Sequence, residues 1–181
     1  MNLAFIIGLG SMLILWGCLV WSYFYPERRI WPPIRSTAGF KGVVWLLTLA
    51  YFGSIAFLGI ADWNDLQWPA LIRWGIGLPL VVIGNFVVWS GVITIGFAAT
   101  SGDRDQLITD GLYTYSRNPQ YLADSGILFG WGVLSASSWV LPLVVMGIMA
   151  LLAAPYVEES WLEDVYGHSY ARYKTSTTRF L

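Results

Sequence analysis

Residues 119–154 read PQYLADSGILFGWGVLSASSWVLPLVVMGIMALLAA, and this stretch decides the fold. Two apolar runs, 119–134 and 138–154, meet at the small polar residues SASS of 135–138. At about 1.5 Å per helical residue, each run reaches only about 24–26 Å. The pattern predicts a tight helical hairpin. Whether the hairpin crosses the bilayer fully or dips into it, its two ends return to the same membrane face.

Three longer apolar runs precede the hairpin, at about 2–25, 42–61 and 70–98. A helix needs roughly 20 apolar residues to cross the ~30 Å hydrocarbon layer, so each run predicts a transmembrane span. The chain is 56% hydrophobic and 12% charged, whereas soluble domains carry about 25% charged residues. We therefore expect an all-α integral membrane protein, a single membrane domain of about five transmembrane helices with a cytoplasmic C-terminal helical tail.

Lysine and arginine residues predict the orientation of these spans. Nine of them fall on one side: Arg28, Arg29, Arg35 and Lys41 after the first span, Arg104 and Arg117 before the fourth, and Arg172, Lys174 and Arg179 after the fifth. The other side has Asp62 and Asp65, with Arg73 just inside the third span. Because cytoplasmic loops are enriched in Lys and Arg, we expect the N-terminus outside and the C-terminus in the cytoplasm.

Composition excludes several classes of function. A net charge of -1 provides no basic face for the phosphates of a nucleic acid. The single cysteine, Cys18, cannot build a disulfide framework or a thiolate metal cluster within the chain, and we predict no metal site. The first apolar run is longer than the ~7–15-residue core of a signal peptide and has no basic segment before it, so we expect a retained span.

Two polar segments at the predicted cytoplasmic side, 99–121 and 155–181, hold most of the polar groups. In the first, Asn118 suits a helix N-cap and Pro119 suits the first helical position. The N–H groups at the start of that helix, beside Arg117, predict a site for a carboxylate or a phosphate. In the simpler alternative, Asn118 only caps the span and Arg117 only anchors it at the lipid headgroups.

The second polar segment combines carboxylates with phenol rings. If its helix runs through Gly167, one face carries residues that recur every three or four positions: Glu159, Glu163, Tyr166, Tyr170 and Tyr173. Carboxylates and aromatic faces attract cations. Beside an anion site, this face suits a ligand with one cationic and one anionic end, such as a sulfonium-bearing amino acid. An amphipathic helix lying at the headgroups is the alternative.

Three motifs follow one another over residues 110–181: Gly111-Leu112-Tyr113-x-Tyr115-x-Arg117-Asn118-Pro119-x-Tyr121, then Glu158-Glu159-x-x-Leu162, then Tyr166-Gly167-x-x-Tyr170-x-x-Tyr173 with Arg179-Phe180 at the end. In this combination the chain resembles the isoprenylcysteine carboxyl methyltransferase and phospholipid methyltransferase superfamily of membrane enzymes. The resemblance implies that S-adenosylmethionine binds in a cytoplasmic pocket between the two polar segments. It also implies a lipophilic acceptor that enters from the membrane lipids: a prenylcysteine-like carboxylate, a phospholipid amine or another lipid-like nucleophile.

The resemblance further implies the site residues. The cofactor-binding candidates are Tyr113, Arg117, Asn118, Tyr121, Glu159, Tyr170 and Tyr173. The catalytic candidates are Arg117, Glu158 and Glu159, to which the cost of a charge within a span adds Asp124, a departure from the superfamily's pattern. The superfamily's usual Arg-His-Pro is Arg117-Asn118-Pro119 here. Asparagine cannot titrate near neutral pH, which argues against a mechanism that needs a histidine at this position. The only histidine, His168, is expected to face solvent.

Asp124 lies in the first turns of a predicted span, where a charge costs about 2.5–3.5 kcal/mol, and it is a functional candidate for that reason. Related membrane sterol reductases often have Glu at the corresponding point, so an NADPH-dependent reductase is the alternative enzyme. A non-enzymatic scaffold or transport subunit is the third possibility. The first three spans hold almost no ionisable residues apart from Arg73, which disfavours a polar permeation path.

Neither the acceptor nor the oligomeric state follows from the sequence. A carboxylate acceptor is already a nucleophile and needs no base, whereas an amine or thiol needs Glu158, Glu159 or Asp124 to take its proton. Gly126-x-x-x-Gly130 matches a helix-packing motif. That motif is satisfied equally by packing within the chain and by a dimer.

Overall fold

The computed structural model describes residues 1–33, 37–95 and 107–181, and in these ranges the regular structure is helical, without a strand. The helices are α1 (Asn2–Phe24), α2 (Ala38–Ala61), α3 (Ala70–Ile72), α4 (Leu78–Ile95), α5 (Pro119–Ser135), α6 (Val140–Tyr166) and α7 (His168–Ser176). A π-helical turn, Arg73–Gly77, joins α3 to α4. Arg35, Arg104, residues 96–98 of the predicted third span and residues 99–106 of the predicted cofactor segment lie outside the described residues.

Four helical stretches are long and apolar enough to cross a membrane: Asn2–Phe24, Ala38–Ala61, Ala70–Ile93 and Val140–Tyr166. They match four of the five predicted spans. The fifth, α5, has 17 residues and is about 25 Å long. It packs against α4 on one side and α6 on the other. The predicted hairpin of α5 and α6 therefore exists, with α5 as its shorter arm.

Helix α6 continues where the sequence predicted a boundary. We expected the span to end at Ala154 and Pro155 to begin or kink a new helix, but Pro155 lies inside α6. Proline removes one backbone hydrogen bond. Ala154, Pro155 and Val157 are all buried, and their packing outweighs that loss. With 27 residues, α6 is about 40 Å long, about 10 Å more than a hydrocarbon layer.

Gly167 interrupts the polar face that the sequence predicted along the tail. Its backbone has φ 51° and ends α6, a conformation that glycine adopts without the steric cost of a Cβ. The chain then begins α7 in a new direction. The single carboxylate-and-phenol face, which required a helix running through Gly167, is therefore absent. Tyr170 and Tyr173 are nevertheless buried on α7.

The segment between α2 and α4 caps the tip of the α5–α6 hairpin. At the end of α5, the Ser135 carbonyl accepts a hydrogen bond from Asn64 N–H at 2.7 Å, and the Ala136 carbonyl accepts one from Leu66 N–H at 3.2 Å. The Leu134 carbonyl accepts a hydrogen bond from Arg73 Nε at 2.9 Å. Asp65 accepts the Ser138 backbone N–H at 2.9 Å, just before α6. A guanidinium suits the negative end of a helix. Arg73 is a charged residue inside a predicted span, and its guanidinium caps the C-terminal end of α5.

The core lies where α1 and α2 meet the hairpin. Tyr51 on α2 is 2% exposed and donates a hydrogen bond to the Leu143 carbonyl of α6 at 2.7 Å. The phenol reaches that carbonyl because Gly147 has no side chain, and a Cβ there would overlap the Tyr51 hydroxyl. Gly130 faces Gly77 within the same chain, whereas Gly126 faces open space. Of the two glycines in the Gly126-x-x-x-Gly130 motif, Gly130 thus packs within the chain and Gly126 does not.

Candidate functional site

A buried carboxylate, Glu159 of α6, joins the segment before α5 to the C-terminal tail. Arg117 Nη2 lies 2.8 Å from Glu159 Oε1, and both side chains are only 7% exposed. Arg179 donates two hydrogen bonds to the same carboxylate, at 2.8 Å from Nε and 2.7 Å from Nη2. Lys174 Nζ lies 3.8 Å away. We refer to Arg117, Glu159, Lys174 and Arg179 as the Glu159 network.

The charges of the Glu159 network are mutually stabilising. A buried carboxylate is costly unless cations and hydrogen bonds compensate for the water that it has lost. Its hydrogen bonds hold the pKa of Arg179 above the usual range, and the Arg179 guanidinium also stacks on the Tyr156 ring at 3.9 Å. Lys174 forms a closer pair with the exposed Glu163, at 2.6 Å. Glu159 is therefore a structural anchor as well as a site residue.

Arg179 and Lys174 were absent from the predicted site residues. The Arg179-Phe180 motif was visible in the sequence but had no assigned role. A count of charges could have pointed to Arg179. The predicted site paired the acids Glu158 and Glu159 with one cation, Arg117. Such a buried pair of acids calls for further positive charge.

The C-terminal tail lies directly on the segment before α5. Arg117 N–H donates to the Thr178 carbonyl at 2.9 Å, and the Asn118 side-chain amide donates to the Arg179 carbonyl at 3.0 Å. Asn118 occupies the N-cap position and Pro119 the first helical position, as predicted. The Asn118 side chain does not cap the helix, however, because it is used to hold the tail.

Three predicted cofactor residues form a phenol cluster beside the Glu159 network. The Tyr173 hydroxyl donates to the Tyr113 carbonyl at 2.6 Å, and the rings of Tyr170 and Tyr173 meet edge-on at 6.2 Å. Burial raises the pKa of Tyr113 and of Tyr173 to about 12, and it also raises the pKa of Tyr170. The phenols therefore stay neutral at physiological pH and offer ring faces and O–H donors.

Glu158, next to Glu159 in sequence, lies in different surroundings. Its Oε1 accepts hydrogen bonds from Trp31 Nε1 at 2.6 Å and from the Tyr121 hydroxyl. Tyr121 was predicted to bind the cofactor together with Arg117, but the structure places it with Glu158. The predicted residues thus divide into two neighbouring groups, one on each side of α6.

An apolar cavity of about 350 Å³ begins at the Glu158 group and extends between α1, α2, α5 and α6. Trp31 and Tyr121 line its polar end. Its other walls are almost entirely apolar and include Met12, Leu15, Leu47, Leu151 and Ala154. Ligand pockets typically measure about 300–1,000 Å³. The cavity suits an extended apolar group that lies at membrane depth.

A second cavity, of about 250 Å³, lies between α2, α4 and α5. It contains Asp124, the remaining catalytic candidate, together with Lys41 and Gln120. The Gln120 side-chain nitrogen is buried and has no hydrogen-bond partner among the described residues. We call this cavity the Asp124 pocket. In the part of the chain that the structure describes, no three His, Cys, Asp or Glu side chains group closely enough to hold a metal ion.

Comparison with known proteins gives a consistent result. The model of the phospholipid methyltransferase family matches residues 72–169, more than half of the chain. Human phosphatidylethanolamine N-methyltransferase is 27% identical over 117 residues, which cover 61% of this chain and 58% of that protein. Protein-S-isoprenylcysteine O-methyltransferase of Dictyostelium discoideum is 30% identical over 117 residues, with 57% and 46% covered. The chain thus spans about half the length of these relatives. No solved structure matches it.

The Glu159 network makes a testable prediction about stability. Replacing Glu159 with Gln keeps the shape but leaves two guanidiniums without their shared charge, so we expect the free energy of unfolding to fall by about 3 kcal/mol. The matched control is Glu163→Gln, because the Glu163 side chain is 46% exposed and its ion pair within the described ranges is with Lys174, a contact worth at most about 1 kcal/mol. Denaturant unfolding in detergent measures both variants. Equal losses would contradict the network's role.

Proposed function

Because this chain belongs to the phospholipid methyltransferase family, we propose that it transfers a methyl group from S-adenosylmethionine to a lipophilic acceptor at one face of a membrane. One observation carries the proposal. Trp31 and Tyr121 line the apolar cavity, and both donate hydrogen bonds to Glu158, the residue before Glu159 on α6. The reacting groups of a polar cofactor and an apolar acceptor would therefore lie side by side at this end of α6.

The polar side has the donors that S-adenosylmethionine needs. Arg117 Nε and Trp161 Nε1 are buried and have no hydrogen-bond partner among the described residues. They would suit the carboxylate or the ribose oxygens of the cofactor. We propose that the cofactor is held by the residues predicted from the resemblance on this side of α6, namely Tyr113, Arg117, Asn118, Glu159, Tyr170 and Tyr173. Lys174 and Arg179 join them through Glu159.

The bound cofactor would supply a methyl group activated by the adjacent positively charged sulfur. The residues of the chain then have three tasks: to align the acceptor, to keep water out and to take up a proton where the acceptor carries one. Glu159 has both oxygens engaged by arginines, so we assign it to positioning. Glu158 and Asp124, next to the cavities, are the proposed proton acceptors. Tyr121 orients Glu158.

We also propose that the site faces the cytoplasm. The Trp31–Glu158 hydrogen bond places the basic segment with Arg28 and Arg29 at the same end of the molecule as the Glu159 network. The Asp62–Ser137 hydrogen bond marks the opposite end, at the hairpin tip. Since basic residues favour the cytoplasmic side, this asymmetry supports five spans with an outside N-terminus and a cytoplasmic C-terminus.

Cofactor titration tests the proposed function. Purified protein in nanodiscs should bind S-adenosylhomocysteine, and Arg117→Ala should weaken that binding by at least about tenfold, the loss of about 1.4 kcal/mol. Isothermal calorimetry measures both. The control is Arg172→Ala, an exposed change on the same tail, which should leave the affinity unaltered. Binding of NADPH instead would establish a reductase. Binding of neither would favour a scaffold or transport subunit.

The apolar cavity makes a separate prediction about the acceptor. Leu151 lines the cavity, whereas its neighbour Leu152 is 37% exposed at the outer surface. Leu151→Trp should fill the cavity and raise the KM for a lipid acceptor by about tenfold, while binding of S-adenosylhomocysteine is unchanged. Leu152→Trp adds the same bulk outside the cavity and should change neither quantity. Similar KM values for the two variants would show that the acceptor binds elsewhere.

A further inference from the structure

The apolar cavity is closed at the end that lies away from Glu158. Tyr51 of α2 lines the cavity there. Beyond its ring, toward the hairpin tip, the space is filled by core residues that are at most 2% exposed: Ile55 and Leu58 of α2 and Val140 of α6. An apolar chain that extends into the cavity from the Glu158 end therefore has to stop at the Tyr51 ring.

The Tyr51 ring is held in a fixed position. Its hydroxyl donates to the Leu143 carbonyl at 2.7 Å, and its ring meets the Phe52 ring edge-on at 5.3 Å between centroids. The hydroxyl occupies the space that a side chain at Gly147 would need. A ring anchored by a hydrogen bond and by close packing forms a firmer floor than a flexible side chain would.

One side of the cavity opens toward the membrane lipids. Helices α1 and α2 touch just beyond the floor, where a Cβ on Gly8 would lie 2.9 Å from the Cβ of Ser54. Nearer to Glu158 the cavity lies between these two helices. Ile14 of α1 and Val43 of α2 line it although they are 53% and 56% exposed. The gap between α1 and α2 is therefore a side entrance for an apolar chain.

Helix geometry gives the depth of the cavity. Its lining residues on α6 run from Ala154 to Gly147, about 10 Å of helix, and those on α2 run from Phe40 to the floor at Tyr51, about 16 Å. Three backbone bonds of an extended chain span at most ~3.3–3.6 Å, which is about 1.2 Å per bond. The depth therefore matches an extended apolar chain of about 9–14 bonds.

Resting on the proposed function, we propose that the acceptor inserts one apolar chain into this cavity and that Tyr51 selects the length of that chain. A chain whose far end touches the Tyr51 ring has its polar end at Trp31 and Tyr121. Both of these residues are hydrogen-bonded to Glu158, the residue before Glu159. The floor thus determines how far the reacting group lies from the proposed cofactor site.

Selection depends on fit, because lipid tails are as apolar as the cavity walls and a chain gains no hydrophobic free energy on leaving them. A shorter chain leaves empty space above Tyr51, and the walls there lose their van der Waals contacts. A longer chain cannot pass the ring. It has to bend out between α1 and α2 or keep its polar end away from Trp31 and Tyr121, which misaligns the reacting group.

Methyl transfer to single-chain acceptors of graded length tests the proposal, with the full chain in phosphatidylcholine nanodiscs. Two series are used, n-alkylamines and N-acetyl-S-alkylcysteines, because the proposal concerns the chain and not its polar end. Alkyl chains of about 8, 12 and 18 carbon atoms lie below, within and above the matching range. In each series that accepts the methyl group, we expect the highest kcat/KM at the middle length and a value at least about tenfold lower at the greatest length.

Two variants should move the preferred length in opposite directions. Tyr51→Leu removes the ring, deepens the cavity and should favour the longest chain. Ala150→Leu fills the middle of the cavity, which Ala150 lines, and should favour the shortest chain. The matched control is Tyr51→Phe, which keeps the ring and should keep the preference. Binding of S-adenosylhomocysteine should stay the same in all three variants, so a general loss of structure would not produce this pattern.

The outcomes separate this proposal from the proposed function. Failure of the unmodified chain to bind S-adenosylhomocysteine overturns both. Binding without a preferred chain length, or with the same preference in a folded Tyr51→Leu protein, overturns the role of Tyr51 and leaves the proposed function intact. If Tyr51→Leu does not fold, Ala150→Leu decides, and an unaltered preference in that variant overturns the proposal.

A binding measurement covers the case in which neither series is methylated. A dodecyl amine with a diazirine at the far end of its chain is photoactivated in the nanodisc, and the labelled peptides are mapped by mass spectrometry. Label at Tyr51 or at Gly147, which lies against it, supports the proposed floor. Label confined to other parts of the chain overturns it.

Discussion

Glu159 has almost no access to solvent, and its negative charge has to be balanced by neighbouring side chains. The balancing groups come from different places along the chain: Arg117 before α5, Lys174 in α7 and Arg179 near the C-terminus. Pairing one buried carboxylate therefore fixes the tail against the segment that begins the hairpin. The phenol cluster and the backbone hydrogen bonds between these segments then form within a geometry that the ion network has set.

The pair Glu158 and Glu159 shows how a helix separates two chemical environments. Successive residues of an α-helix point about 100° apart, so one carboxylate lies among arginines and the other lies beside Trp31, Tyr121 and the apolar cavity. In a membrane enzyme this separation is useful. In the proposed reaction a water-soluble cofactor and a lipid-soluble acceptor would approach from different solvents, and α6 would present a carboxylate to each of them.

The sequence predicted those features that depend on local pattern. The helical hairpin and the start of α5 at Asn118 and Pro119 follow from apolar periodicity and backbone preference. The continuation of α6 through Pro155 was missed because tertiary packing overrides a local breaker. Arg179 and the Tyr121–Glu158 contact were missed for a related reason. Pairing between residues 20 or 37 positions apart depends on three-dimensional folding and leaves no trace in local spacing. The sequence showed Arg73 only as a charge just inside a predicted span, and the structure reveals the helix end that it caps.

The proposed cofactor site lies on the Glu159 side of α6, between the segment before α5 and the tail. Photocrosslinking with an azido derivative of S-adenosylmethionine, followed by mass spectrometric mapping of the labelled peptides, tests this directly. We expect label in residues 107–121 and 155–181, and protection of both by S-adenosylhomocysteine. Protectable label at the hairpin tip, in residues 62–67 or 134–139, would contradict it.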